Sequence, residues 1–301
     1  MWYELKTDED QKKVINELKT YGVLTDKMLA QGIASVENVT DKWETYVKAS
    51  VNSHNVANII PVSRAYSTVE EYSTNEEEPA ETEDTKVERK TSIVKGLVFG
   101  NDQTYTRSLS SSDKDKDTSM EQYLLNAMFE RLTATFETLF FLGDKDKNPK
   151  EWDGIVKQIS PENRISCEGN TLSFSAIFEA PKIISNNWGL PNTIIMPRKT
   201  YVGLHFMGKD LMQIFNPIKE MVWDEENIKV YSTRLFENEK MVLVGQVNPS
   251  VLTFRLITPV VKINLMPQGT THKFLLAFAG APILFAPKKW SKIENYAEFT
   301  R

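Results

Sequence analysis

Thr118-Ser-Met-Glu-Gln-Tyr-Leu-Leu-Asn-Ala-Met-Phe-Glu-Arg-Leu-Thr-Ala-Thr-Phe-Glu-Thr-Leu-Phe-Phe-Leu-Gly143, followed by Asp144-Lys-Asp-Lys-Asn-Pro-Lys-Glu-Trp-Asp-Gly-Ile-Val156, decides how the rest of the chain is read. The first part has the spacing of one long amphipathic helix. Leu125, Leu132 and Leu139 form one apolar row and Phe129, Phe136 and Phe140 a second, flanked by Met128 and Leu142. At about 100° per residue these rows merge into a broad core-facing stripe. Asn126, Glu130, Thr133 and Glu137 recur at four, three and four residues and are expected to form the wet face. Ala127 and Ala134 fall between the faces, small enough to let another layer approach. Thr118 and Ser119 are candidate N-caps, with Glu121 and Gln122 as their capping-box partners. Gly143 suits the left-handed position just past a helix end, and Pro149 blocks any continuation. The expected rod is roughly 36 Å long at 1.5 Å per residue.

Composition narrows what such a rod can serve. At 301 residues the chain can hold one large or two medium domains, with 41% hydrophobic residues for a core. A formal net charge of −5 and a pI near 5.5 argue against an electrostatic nucleic-acid binder, which needs a basic face. The lone Cys167 allows no intramolecular disulfide and no all-cysteine metal cluster, which fits a reducing compartment. The segment Met1 to Asp10 carries neither a basic n-region nor an apolar h-region, and no apolar run approaches the roughly 20 residues that span a bilayer. A soluble protein made inside the cell, with no membrane partner, is the expectation.

The flanking segments differ sharply in character. Residues 1–50 read as short helices: Thr7 caps one carrying Val14, Ile15 and Leu18 and ending near Gly22. Thr25 opens a turn closed by Gly32, and Ser35 precedes a third helix through Trp43 and Val47. These pieces are too short for an independent core and are expected to pack elsewhere, for instance on a neighbouring subunit. Between Glu70 and Glu88 the chain turns acidic, with Glu70, Glu71, Glu76, Glu77, Glu78, Glu81, Glu83, Asp84 and Glu88. Such a run cannot bury enough surface to offset its ordering entropy. Strand-like sequence lies on either side, Ala57 to Val62 and Thr91 to Phe99, so residues 56–117 read as a two-stranded excursion with an acidic tip; an unstructured surface loop is the alternative. After the long helix, Asn170 to Asn187 is helical in pattern, with Pro181 expected to end or kink it. Gly189-Leu-Pro191 punctuates, Thr193 to Met196 reads as a short buried strand, and Tyr201 to Phe215 is helical again. From Ile228 onward strand signals dominate, in Ile228 to Thr233, Met241 to Val244, Val260 to Leu265 and Phe274 to Phe278. The class is α+β.

The search for chemistry comes back empty. No phosphate-cradling glycine loop, HExxH or G-x-S-x-G occurs. His54, His205 and His272 stand in unrelated segments, with no spacing that pairs them as metal ligands. Asp113-Lys-Asp-Lys-Asp117 places carboxylates as a calcium loop would, but Thr118 stands where glycine is needed and Leu124 where the bidentate glutamate is needed. A charged lead-in to the helix explains it better, with Asp117 near the positive end of the dipole. Asp144 and Asp146 are read as solvated loop carboxylates, and Trp152 as an anchor holding its loop to the core. No catalytic residue, metal ligand or cofactor site is expected.

The order of segments resembles tailed-bacteriophage major capsid proteins of the Hong Kong 97-like fold, from about Asn55 to the C-terminus. Two pieces carry the resemblance. One is Phe140-Phe-Leu-Gly-Asp144 with Asn148-Pro-Lys-Glu-Trp-Asp-Gly-Ile155, where family members end a long helix in Gly-Asp and follow a proline with aromatic-Asp-Gly-Leu/Ile. The other is Ala176 to Met196, which looks like the family's helix, turn and buried strand, before a helix near Thr200 to Leu211. The resemblance implies an N-terminal arm (1–55), an extended loop (56–117), a peripheral domain with the spine helix (118–164), an axial domain (165–250) and C-terminal strands returning to both (251–301). It implies a structural, non-enzymatic role: self-assembly into hexamers and pentamers of an icosahedral shell around double-stranded DNA, held non-specifically. Portal and scaffold or decoration proteins are the implied partners, the host cytoplasm the place of assembly and the virion the destination. Within it Gly143, Asp144, Pro149, Trp152, Asp153 and Gly154 become positional residues of the turn after the spine helix. Glu76, Glu77 and Glu78 become candidate subunit contacts. A bacterial encapsulin-like compartment is the alternative on the same fold, and a small metal-dependent hydrolase using Asp113, Asp115, Asp117 or Asp144 the alternative from another class.

Overall fold

The computed structural model describes residues 5, 7–49, 56–64, 95–100, 105–106, 114–210, 220–223, 226–266 and 271–297. In chain order its elements are α1 (Asp8–Thr20), α2 (Asp26–Leu29), β1 (Ile33–Asn38), α3 (Thr40–Ala49), β2 (Val62–Arg64), β3 (Lys95–Gly100), β4 (Tyr105–Thr106), α4 (Lys114–Leu142) and α5 (Ile155–Gln158). There follow β5 (Arg164–Ser166), α6 (Phe174–Asn186), β6 (Thr193–Pro197), α7 (Arg198–Asp210), β7 (Glu220–Trp223), β8 (Glu226–Thr233), β9 (Val242–Gly245), β10 (Leu252–Leu265), β11 (Thr271–His272), β12 (Phe274–Leu284) and β13 (Trp290–Glu294).

Two main sheets organise them. In the first, the order is β1-β10-β12-β3, with β2 pairing the other end of the same β10 edge that β1 occupies. In the second, the order is β5-β13-β9-β6-β8-β7. β4 and β11 form a separate short pair. The last strands tie both sheets together along the chain: β10 and β12 make the centre of the first, and β13 enters the second between β5 and β9. The architecture is α+β, as the sequence indicates.

β10 is long because its side chains are apolar on both faces, and all but a few are buried. Its ladder with β12 shifts register around Leu256 to Val261, where Pro259 has no N–H to give. Two hydroxyls repair the gap: Ala279 N donates to Thr258 Oγ1 at 2.6 Å, and Val260 N donates to Thr40 Oγ1 at 2.9 Å. Thr40 begins α3, so the irregularity in β10 is also where the N-terminal region is bonded to the sheet.

That region is not a free-standing arm of helices. α1 starts at Thr7 with a reciprocal cap, Asp10 N donating to Thr7 Oγ1 at 3.2 Å and Thr7 N to Asp10 Oδ2 at 3.1 Å. Thr25 caps α2. Ser35, however, lies inside strand β1, which pairs antiparallel with Val261 to Leu265 of β10. Val14, Leu18 and Val36 pack with Ile263 and Ala279 of the same chain's sheet. The segment finds its core at home instead of on a neighbour, because Val36 and its flanks can pair with an available edge of β10.

The excursion over 56–117 also differs from a hairpin where it is described. β2 runs parallel to β10, and β3 lies antiparallel to β12 on the far side of the sheet. The two strands therefore point the same way and do not pair with each other. Ala57 to Ile59, expected in a strand, is a 3-10 turn. The acidic tip, including Glu76, Glu77 and Glu78, lies outside the described residues, as does His54.

α4 lies against the first sheet, and it begins earlier than its caps suggest. Thr118 and Ser119 are interior to a helix of 29 residues that starts at Lys114, roughly 43 Å long at 1.5 Å per residue. The apolar stripe is buried as expected: Leu132 and Phe140 are fully covered, and Leu125, Met128, Phe129 and Phe136 nearly so. Phe136 stands edge-on to Phe254 of β10 at 4.8 Å and to Trp43 of α3 at 5.4 Å. Pro181 does not end α6. The helix runs through it to Asn186, with the proline itself buried, giving up one backbone hydrogen bond where tertiary packing holds the turn.

The wet face of α4 is narrower than its spacing implies. Asn126 and Glu130 are exposed, but Thr133 and Glu137 are buried under α3 and residues 56–60. Both have a partner: Trp43 Nε1 donates to Thr133 Oγ1 at 3.1 Å, and Val56 N donates to Glu137 Oε1 at 2.7 Å. Burial pushes the Glu137 carboxyl up to about 7, against the bond from Val56, which acts to lower it. With the folded value raised above the unfolded one, the native state holds a proton that the unfolded state has released between pH 4.5 and 7, so stability falls as pH rises through that window. Glu137→Gln keeps an acceptor for Val56 and removes the charge. It should raise the unfolding free energy at pH 8, by an amount of order 1–3 kcal/mol, and flatten its slope between pH 4.5 and 7. Urea titrations of the protein at pH 5 and pH 8 read both effects; an unchanged slope would place the titration elsewhere.

Candidate functional site

The stretch after α4 is built by two glycines that face each other. The backbone of Gly154 donates to Gly143 O at 2.7 Å, while Gly143 N closes the helix on Leu139 O at 3.0 Å. A Cβ at Gly143 would lie 2.5 Å from Trp152 O and 2.6 Å from Leu139 O. A Cβ at Gly154 would lie 2.5 Å from Phe141 O and 2.7 Å from Gly143 N. Gly143 is thus needed for close approach of two backbones. It is not among the left-handed residues of the chain, contrary to the expectation from its place after a helix.

Trp152 fastens the crossing from inside. It is fully buried, its Nε1 donates to Leu139 O at 2.7 Å, and its ring lies 5.2 Å from Phe254. Leu139 O thus accepts twice, from Gly143 N along the helix and from the indole across the turn, which locks the tryptophan to the last turn of α4. Pro149 stands in the exposed turn between the two arms, in a stretch where Asn148 N and Glu151 N close turns on Asp144 O and Asn148 O.

The outer side of the turn is ionic. Lys157 Nζ lies 2.6 Å from Asp144 Oδ1, 2.6 Å from Asp146 Oδ2 and 2.9 Å from Asp153 Oδ1. Lys145 adds a second bridge to Asp153 at 3.1 Å. Asp144 and Asp146 are therefore lysine-paired instead of merely solvated. The Lys157 bond holds the Asp144 carboxyl below its usual range. Partial burial works to raise Asp153, but Lys157 and Lys145 outweigh it and hold that carboxyl low as well. Asp144, then Asp146 and Asp153, push the Lys157 ammonium up in turn. An ammonium occupies the point where these three carboxylates converge, so the arrangement is a clamp on α5. Gln158 extends it into the sheet, accepting from Leu284 N at 3.0 Å and donating to Asp153 O at 2.8 Å.

The other groups weighed for chemistry lie, where described, on separate elements. Asp115 and Asp117 lie in the first turn of α4, and Asp113 is outside the described residues. His205 is in α7 and His272 in β11. Cys167 is half-buried after β5, and burial pushes its thiol up, the opposite of what a nucleophile needs. Among the described residues no group of three or more His, Cys, Asp or Glu could hold a metal ion, and no helix is long and apolar enough to cross a membrane.

One exposed feature gave no signal in the sequence reading. The loop between α6 and β6 carries Trp188, 93% exposed, and Leu190, 57% exposed, on a backbone pinned by several hydrogen bonds. Nothing in the sequence around Trp188 separates an outward tryptophan from a buried one such as Trp152.

Comparison with known proteins fits this fold. No family model matches the chain. The major capsid protein of Staphylococcus phage K is 24% identical over 172 residues, which are 55% of this chain and 36% of that protein. The chain thus aligns with about a third of the length of the curated relatives it matches. Among solved structures, the capsid of a native GTA particle superposes with a TM-score of 0.57 at 10% identity, covering 81% of this chain and 90% of that one. The satellite phage P4 procapsid superposes with a TM-score of 0.51 at 13% identity, covering 97% and 99%. The fold is the Hong Kong 97-like fold of phage capsid proteins.

The crossing predicts a sharp asymmetry between two small changes. Gly154→Ala must push its methyl into backbone atoms and should destabilise the fold by about 2–4 kcal/mol. Gly169→Ala, at an open left-handed position, should cost about 1 kcal/mol. Denaturant unfolding of the two variants side by side tests this; equal losses would mean that the crossing can relax.

Proposed function

We propose that the chain is the major shell protein of a tailed bacteriophage, assembling from many copies of itself into a closed capsid around double-stranded DNA. The observation that carries this reading is the fold. It matches the GTA capsid subunit and the P4 procapsid subunit over nearly their full lengths, and the sequence relatives are named major capsid proteins.

The molecule's own physics supports it. A long helix held on a sheet by an aromatic core gives a rigid plate, and a rigid subunit transmits the geometry of one contact to the next. The turn at Gly143, Asp144, Pro149, Trp152, Asp153 and Gly154 keeps the end of the helix fixed to the sheet. Its role is structural: it stiffens the subunit, and no residue of it is catalytic. Nine acidic residues against one lysine in 70–88 suit contacts between copies through Glu76, Glu77 and Glu78 with basic residues of a neighbour. The net charge of −5 suits a wall that holds DNA without gripping it. Hexamers and pentamers are the expected capsomers, with portal and scaffold or decoration proteins as further partners. The relatives' names favour a virion over a cargo-holding compartment.

Negative-stain electron microscopy with sedimentation velocity on the expressed protein should show closed shells or rings of five and six subunits. Trp152→Ala should lower their yield severalfold while leaving soluble subunit. A protein that stays monomeric even beside its accompanying head proteins would overturn the reading.

A further inference from the structure

We propose that Trp188, with Leu190, is a rigid knob that seats in a second copy of this chain, an inference that rests on the shell reading above. α6 ends in a Schellman motif: Trp188 N donates to Ser185 O at 3.0 Å, and Gly189 N to Ile184 O at 3.0 Å. In that motif the residue after the C-cap takes the left-handed conformation, and it is usually glycine. Here it is Trp188, at φ 58°, after the C-cap Asn187. The glycine stands one place later, where a Cβ would meet Ile184 Cγ2 at 2.5 Å.

A tryptophan at that position is unfavourable twice over. The left-handed backbone costs an L-residue roughly 1–2 kcal/mol, and the indole recovers nothing inside the chain, since 93% of it is exposed. Glycine or asparagine would cap the helix better. The residue is nevertheless held firmly: Leu190 N donates to Gln246 Oε1 at 3.2 Å, Asn192 N to Gly245 O at 3.1 Å, and Val247 N to Asn192 Oδ1 at 2.8 Å. Gln246 is itself fixed by Trp290, whose Nε1 donates to Gln246 O at 3.1 Å. A pre-organised, protruding tryptophan is the side chain that dominates interface energetics when a partner covers it.

Size and charge name the partner. A tryptophan and a leucine offer only roughly 300 Å² between them, well short of the about 800 Å² per side of a stable binary complex. Such a contact is useful where each molecule makes several at once, as in a closed shell of copies. Residues 183–197 carry no charged side chain, and Lys289 packs beside the loop at Gly189 without belonging to the knob itself. Identical copies share the same net charge of −5, so a neutral knob lets them meet without like-charge repulsion. Nucleic acid would call for a basic knob. Rings need two different patches in each contact, so the knob seats in a distinct surface of the neighbour and not on its own twin.

Trp188→Asn tests this, because asparagine tolerates the left-handed position and keeps the cap. The isolated subunit should melt at the wild-type temperature or slightly above it, while the concentration needed for assembly rises about tenfold or more. Oxidative footprinting should show Trp188 reactive in free subunits and protected in wild-type particles. Equal assembly by wild type and variant, or a variant subunit that melts several degrees lower, overturns the inference and leaves the shell reading intact. Protection of Trp188 only when a different protein is bound overturns the second copy as its partner. Wild-type protein that never assembles overturns the shell reading, and this inference with it.

Discussion

The edge-on contact between Phe136 and Phe254 is the point on which the subunit turns. Phe136 is on α4 and Phe254 on β10, and the two rings are 4.8 Å apart at 87°. Trp43 from α3 and Phe278 from β12 close on the same pair, and Trp152 adds its ring to Phe254 from the turn beyond the helix. Five segments from distant parts of the sequence thus share one aromatic centre. Burying each such side chain contributes on the order of 2–3 kcal/mol, with edge-to-face pairing adding about 1 kcal/mol more. Once α4 is fixed across β10 at this height, its C-terminus has only one place to go. The chain must reverse over Phe141, and two backbones must pass within bonding distance. Only glycine allows that at both 143 and 154.

The same constraint explains which parts of the sequence could be read. Period 3.6 in the apolar residues of α4 reports the packing of one face on one sheet, and that much was legible in Leu125, Phe129, Leu132, Phe136 and Phe140. The second contact of the helix was not. Thr133 and Glu137 fall on the polar arc, and nothing local distinguishes a solvated glutamate from one that accepts Val56 N under α3. A helix packed on two sides still shows an amphipathic pattern when its second side is closed by hydrogen bonds. Likewise Ile33 to Asn38 has no strand signal strong enough to stand alone. It is a strand because β10 offers an edge, and that edge is more than 220 residues away in sequence. Long-range pairing of this kind leaves little local trace.

The turn after α4 was legible as a turn, down to its glycines, proline and tryptophan, but the reasons for them were not. Gly143 looks like a helix cap and is a packing residue. Asp144 and Asp146 look solvated and are held by Lys157 from thirteen and eleven residues away. Such a cluster of exposed charges adds little stability by itself. Its value is directional, since α5 can sit in one orientation only, with Gln158 delivered to Leu284 N. Buried Glu137 is similar in kind. It lowers stability at neutral pH, yet it ties residue 56 to the long helix at a defined height, an exchange of stability for position.

Trp188 extends that trade to the surface. Strain inside a subunit persists only where something offsets it, and for Glu137 and Thr133 the offset lies within the chain. For Trp188 it does not: the cap it occupies would be better made by glycine, and its indole touches mostly water. A monomeric protein has no reason to retain such a residue, because both its backbone strain and its exposed apolar surface act against the folded, soluble state. In a closed shell the balance changes sign. The backbone strain stays in both states, but only assembly covers the ring, so the exposed apolar surface weighs on the free chain alone. A shell protein must be stable enough to fold and yet less comfortable alone than among its copies. A rigid, misplaced tryptophan at the end of α6 is one way for the sequence to set that difference.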